Sequence, residues 1–194
     1  MKPDPKKIQP EHKYKLDTPQ RRKILPPYKT LKKSGLQKGD ILADIGCGIG
    51  YFSIPAAKIV GKKGKIIAID TSEEMLKDLR KKIKEKNIEN IDIKKSLPYK
   101  FPISNQEISF TLISNVLHEI DNKPRFLKEI YRILKLDGTL CIIEFKKKDT
   151  GSNPPVKARL SLEQVKNYLK NSNFAFKRYI SISNIFAMYL ANKK

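Results

Sequence analysis

Asp44-Ile45-Gly46-Cys47-Gly48-Ile49-Gly50 sets three glycines at alternate positions behind an acid. Glycines let a ligand approach the backbone closely and tolerate positive φ, so such a run suits a turn whose N–H groups face a bound molecule. Spacing narrows the choice of molecule. A Walker loop needs Gly-Lys-Ser/Thr, but Gly50 is followed by Tyr51-Phe52. A dinucleotide fingerprint starting at Gly46 would need its third glycine at Tyr51. Asp44 repels a pyrophosphate and suits a cation such as an α-ammonium group. Asp70 follows Gly50 by twenty residues and closes a second apolar run, where a carboxylate can accept both ribose hydroxyls. An acid at each end describes a ligand with an aminoacyl end and a ribose but no phosphate, and S-adenosylmethionine (SAM) is such a ligand.

The elements that must position these residues alternate from about Gly39 onward, short apolar runs with helical segments, as in a parallel α/β sheet. Strands are expected at Ile41–Ile45, Lys65–Asp70, Ile91–Lys95, Ile108–Ser114 and Thr139–Phe145. Helices are expected at about Phe52–Val60, from a Thr71 or Ser72 cap to about Lys86, at Pro124–Leu134 and at Ser161–Lys170. Glu73 and Glu74 fall in a first helical turn, where the macrodipole favours carboxylates, so they read as capping charges. Two last strands, about Phe174–Ile182 and Ile185–Ala191, flank a turn at Ser183-Asn184. The expected fold is a Rossmann-like, seven-stranded, mostly parallel sheet with helices on both faces and a C-terminal antiparallel hairpin. Residues 1–30 hold six prolines and many lysines. They read as an arm or cap ahead of the main domain at 31–194. Lys146 to Pro155 reads as an exposed loop.

Leu42 to Gly50 resembles the first motif of the class I SAM-dependent methyltransferases, and Ile67-Ala68-Ile69-Asp70 resembles their second. The resemblance runs from about Lys38 to Lys148, including Ser114-Asn115-Val116-Leu117-His118-Glu119. It is strongest to the small ubiquinone/menaquinone-biosynthesis branch and its bacterial relatives. It implies that Gly46, Gly48 and Gly50 pack on the methionyl end, Asp44 helps hold the ammonium, and Asp70 binds ribose. Cys47, Thr71, Ser96, Leu97 and Asn115 complete the expected cofactor contacts, with Cys47 a small filler. Many relatives carry an acid after the third strand to meet adenine. Lys95-Ser96-Leu97 stands there instead, leaving Ser96 as the available hydrogen-bonding group.

His118 follows the fourth strand on the side where cofactor and acceptor should meet. It is a candidate general base, since its ordinary pKa lies near neutrality, or a packing residue of the cofactor loop. Glu144 ends the fifth strand and should also point towards the active side, with the lysines after it as the favoured partners. SAM carries an activated methyl, so a base is required only for a protonated acceptor, and S-adenosylhomocysteine is the product.

The net charge is +21. It admits a nucleic-acid partner. With 34 Lys against 7 Arg, however, the excess follows an AT-rich codon bias more than an Arg-fork surface. After the fourth strand stands Ser114-Asn115-Val116-Leu117 in place of the Asn-Pro-Pro-Tyr type of base methylation. A small-molecule acceptor is therefore favoured over an RNA-interacting methyltransferase or a non-catalytic SAM-binding protein. Cys47 and Cys141 form no disulfide framework or metal site. No apolar run approaches the ~18 residues of a membrane span, and no secretion signal stands at the N-terminus, so cytoplasmic residence is expected. The residues leave oligomeric state open.

Overall fold

A computed structural model describes residues 10–151 and 154–194. The first nine residues of the expected arm, and residues 152 and 153 of the expected loop, lie outside the described residues. A 3-10 segment, Pro10–Leu16, leads into two short helices, α1 (Pro19–Ile24) and α2 (Pro27–Lys33). Then follow β1 (Ile41–Ile45), α3 (Ser53–Val60), β2 (Lys65–Asp70), α4 (Glu73–Glu85), β3 (Ile91–Lys95) and β4 (Ile108–Ser114). The chain continues with α5 (Lys123–Ile133), β5 (Leu134–Phe145), α6 (Leu162–Asn171), β6 (Phe174–Ser181) and β7 (Phe186–Lys193).

One seven-stranded sheet results, in the order β3-β2-β1-β4-β5-β7-β6. Strands β1 to β5 pair in parallel, and β7 runs antiparallel to both β5 and β6. Buried strands with no polar face explain the continuous apolar runs: Ile66, Ile67, Ala68 and Ile69 are all at most 1% exposed. Side chains alternate between two cores. Leu42, Ile66, Ala68, Leu112, Cys141 and Ile143 pack towards α3 and α4, joined by Leu25 and Leu31 from the N-terminal helices. Ala43, Ile67, Ile69, Ile113, Leu140 and Ile142 pack towards α5 and α6.

Local signals account for most boundaries. The Ser72 hydroxyl accepts the Met75 N–H to start α4, and Ser161 with Gln164 forms a capping box on α6. Asn122 caps α5, with Pro124 in the first turn. At β5 the structure departs from expectation, because no loop separates it from α5. The strand begins at Leu134, which pairs with Ile108, and a register shift precedes the pairing of Thr139 with Phe110. Asp137, with φ +59°, absorbs the irregularity. Burial of Leu134 draws the chain into the sheet before the Asp137-Gly138 turn signal.

Candidate functional site

Parallel register brings the expected residues to the carboxyl ends of the central strands. Ile45 lies opposite Ile69 on one side and Ile113 on the other, so Gly46, Asp70 and Asn115 leave neighbouring strands together. The amides of Gly46 and Cys47 both donate to the Ile69 carbonyl, at 2.8 and 3.0 Å, which bends the loop over the end of β2. All three loop glycines have positive φ. A Cβ at Gly46 would stand 2.4 Å from Val116 Cγ2, and one at Gly50 would stand 2.3 Å from Leu79 Cδ1. The positive φ favours glycine at both positions, and a Cβ would also push Val116 or Leu79 aside.

Asp70 holds the loop. One carboxylate oxygen accepts the Gly48 N–H at 2.8 Å and the other accepts the Ser72 N–H at 2.9 Å. Each oxygen keeps a further lone pair for a ligand hydroxyl. Thr71 is exposed beside it, and the Ser96 amide donates to the Asp70 carbonyl at 3.1 Å, so the ends of β2 and β3 stay joined. Leu97 is 66% exposed. Asn115 has φ +57°, and both its side-chain amide atoms are enclosed without a hydrogen-bond partner. Such a group requires a partner.

Asp44 is only 2% exposed. Its Oδ2 accepts the Ser53 hydroxyl at 2.5 Å, beside the first turn of α3. Burial is the main cause that raises its pKa to about 7, with the charge of Asp70 adding to it and the Ser53 bond opposing. Cys47 is buried and its thiol is pushed up by the same loss of water.

Contacts not foreseen from the sequence cover the loop. Leu16 Cδ1 lies 3.3 Å from the position a Gly48 Cβ would take. Lys13 Nζ binds Glu74 and Asp78 of α4 at 3.2 and 3.0 Å. The Tyr51 hydroxyl donates to the Leu25 carbonyl at 2.6 Å beneath the Arg21 guanidinium. The N-terminal segment thus crosses the glycine loop to the helix after Asp70. These contacts join residues far apart in the chain, and no local pattern signals them.

For Glu144, the expected pairing with the following lysines is corrected. Lys146, Lys147 and Lys148 bind Ser181, Gln164 and Asn184 respectively. Glu144, 1% exposed, turns inward and binds His118. His118 itself is buried in a 3-10 turn, Leu117–Glu119, just beyond β4.

The donor set fits SAM. The unpartnered Asn115 amide and the spare lone pairs of Asp70 lie together at the carboxyl ends of neighbouring strands.

The model of a family described as a methyltransferase domain matches residues 36–188. A demethylmenaquinone methyltransferase of Lactobacillus johnsonii is 35% identical over 117 residues, 60% of this chain and 48% of that protein. A ubiquinone/menaquinone biosynthesis C-methyltransferase of Haemophilus ducreyi is 31% identical over 119 residues, 61% of this chain and 46% of that protein. The chain therefore spans about half the length of the curated relatives it matches. A crystal structure of a SAM-dependent methyltransferase from Aquifex aeolicus superposes with a TM-score of 0.93 at 30% identity, covering 97% of this chain and 100% of that one. Among the described residues, no helix is long and apolar enough to cross a membrane.

Proposed function

The chain belongs to the SAM-dependent methyltransferases, and from that premise we propose that it methylates a small molecule whose nucleophile carries a proton, with His118 as the base. The enclosed Asn115 amide at the edge shared with Asp70 and the glycine loop is the observation that carries the reading. Bound SAM supplies an electrophilic methyl on a sulfonium that leaves as a neutral thioether.

The remaining work belongs to the chain. Asp70 accepts the ribose hydroxyls while its loop bonds hold Gly48 in place. Asp44 favours the ammonium by charge through the loop, and Gly46 to Gly50 let the methionyl end lie against the backbone. Ser96 and Leu97 border the adenine end, with Thr71 beside them. The covering segment around Leu16 excludes water from the loop, which strengthens these polar contacts. His118 takes the proton of a hydroxyl or an acidic carbon. A small acceptor agrees with the names of the quinone-pathway relatives. The experiment is calorimetric titration with SAM and S-adenosylhomocysteine, followed by transfer of labelled methyl to quinols, small phenols, thiols and RNA. Absence of SAM binding by folded protein refutes the reading, and labelling of RNA alone replaces its acceptor.

A further inference from the structure

Glu144 grips His118 through two different atoms. Oε2 lies 2.7 Å from the ring Nδ1, and Oε1 accepts the His118 backbone N–H at 3.2 Å. The two side chains are 3% and 2% exposed, so water does not compete for the contact. We propose that Glu144 is a positioning residue for methyl transfer, fixing His118 as the Nδ1–H tautomer so that Nε2 is the atom that takes the acceptor's proton. The inference rests on His118 being the base.

An ionised carboxylate only accepts hydrogen bonds, so the ring nitrogen facing it must donate. In the neutral ring that leaves the lone pair on Nε2. A ring flip would put carbon against Oε2 and lose the bond, so one orientation is held. Because the same carboxylate also holds the backbone N–H, the turn and its ring move as one piece with the end of β5. Phe145, the next residue on β5, sets its ring edge-on to the imidazole at 6.0 Å between centroids.

The arrangement also prepares for the proton. When Nε2 is protonated, the ring's charge is met by Glu144, and the buried pair as a whole is neutral. Glu119 contributes from the same turn, its Oε1 3.9 Å from Nε2, while Lys123 at the start of α5 opposes. Burial alone would depress the histidine, yet the two carboxylates outweigh it and its pKa lies above the usual 6.5. A buried, carboxylate-backed base is useful to a hydroxyl or acidic-carbon nucleophile and superfluous to a thiolate or a neutral amine.

The test is 15N NMR of the full chain labelled at histidine, which has two histidines, His12 and His118. His118→Asn assigns the signals. The wild type should show a protonated Nδ1 and an unprotonated Nε2 above the ring's pKa. Glu144→Gln should lower that pKa by about one unit or more, and Glu144→Asp should restore most of it. With a quinol or phenol acceptor, the rising limb of the kcat profile should move to lower pH in Glu144→Gln by the same amount, with SAM affinity unchanged. An Nε2–H tautomer in the wild type, or an unmoved His118 pKa in Glu144→Gln, overturns the proposal. So does a uniform loss of rate with no movement along the pH axis. If Glu144→Gln does not fold, Glu144→Asp carries the test, and loss of its Nδ1–H signal pattern is the contrary result. Failure of the wild type to bind SAM would refute the proposed function while leaving the tautomer measurement standing.

Discussion

Titrating Asp44 should be felt as a change in cofactor affinity. The carboxyl is buried, and burial raises its pKa to about 7 from a reference of 3.8. At ~1.4 kcal/mol per pK unit, ionising it there costs on the order of 4 kcal/mol more than in water. A ligand ammonium that requires the ionised form must first remove the proton. Roughly nine in ten molecules hold that proton at pH 6, so the apparent Kd should be about tenfold weaker at pH 6 than its plateau above pH 7.5. The slope should be about one logarithmic unit per pH unit below pH 6.5. Calorimetry in two buffers of different ionisation enthalpy should detect release of most of one proton per SAM bound at pH 6.3, and little at pH 8. Asp44→Asn should bind more weakly at pH 8 and lose the slope, which separates Asp44 from His118. A flat affinity from pH 5.5 to 7.5, or a slope that survives in Asp44→Asn, refutes the argument.

Three further outcomes are expected. Asp70→Ala should weaken SAM binding at least tenfold and also lower Tm, because it leaves the Gly48 and Ser72 amides unpaired; calorimetry and thermal unfolding measure the two effects, and an unchanged Kd would mean the ribose is elsewhere. Gly46→Ala should abolish SAM binding at modest cost in secondary structure, since its Cβ would overlap Val116 at positive φ; equilibrium dialysis with circular dichroism checks it. His118 has a raised folded pKa, so its pairing with Glu144 contributes stability that is complete below pH 6.5 and lost as pH rises through the folded value. Denaturant titrations from pH 5 to 9 should show that loss in the wild type and a smaller one in Glu144→Gln.

The sheet was legible because each buried strand is a compact run of apolar residues closed by a turn signal, as in Lys65–Asp70 and Ile108–Ser114. The start of β5 was not, since Lys135, Leu136 and Asp137 are exposed and read as a helix end although Leu134 is already in the core. At the site, the glycine spacing and its two acids could be read directly, as each is a local pattern. Pairing of Glu144 with the neighbouring lysines follows from proximity in sequence alone, but alternation along β5 sets it on the face of Leu140 and Ile142, where it meets His118. The role of Ser53 depends on the turn of α3 above β1, and the cover by Lys13 and Leu16 on contacts across the fold. Neither leaves a periodic trace.

The strand order carries a consequence for how the protein is made. β7 lies between β5 and β6, yet it follows β6 in the chain. As the polypeptide leaves the ribosome, β3, β2, β1, β4 and β5 can assemble from segments already synthesised. β6 emerges with no partner in the growing sheet, because the place beside β5 belongs to a strand not yet translated. Its backbone N–H and C=O groups must wait for residues 186–193 before they can pair. Completion of this edge is therefore tied to the last step of synthesis of the sheet, when β7 docks on β5 and β6 closes over it.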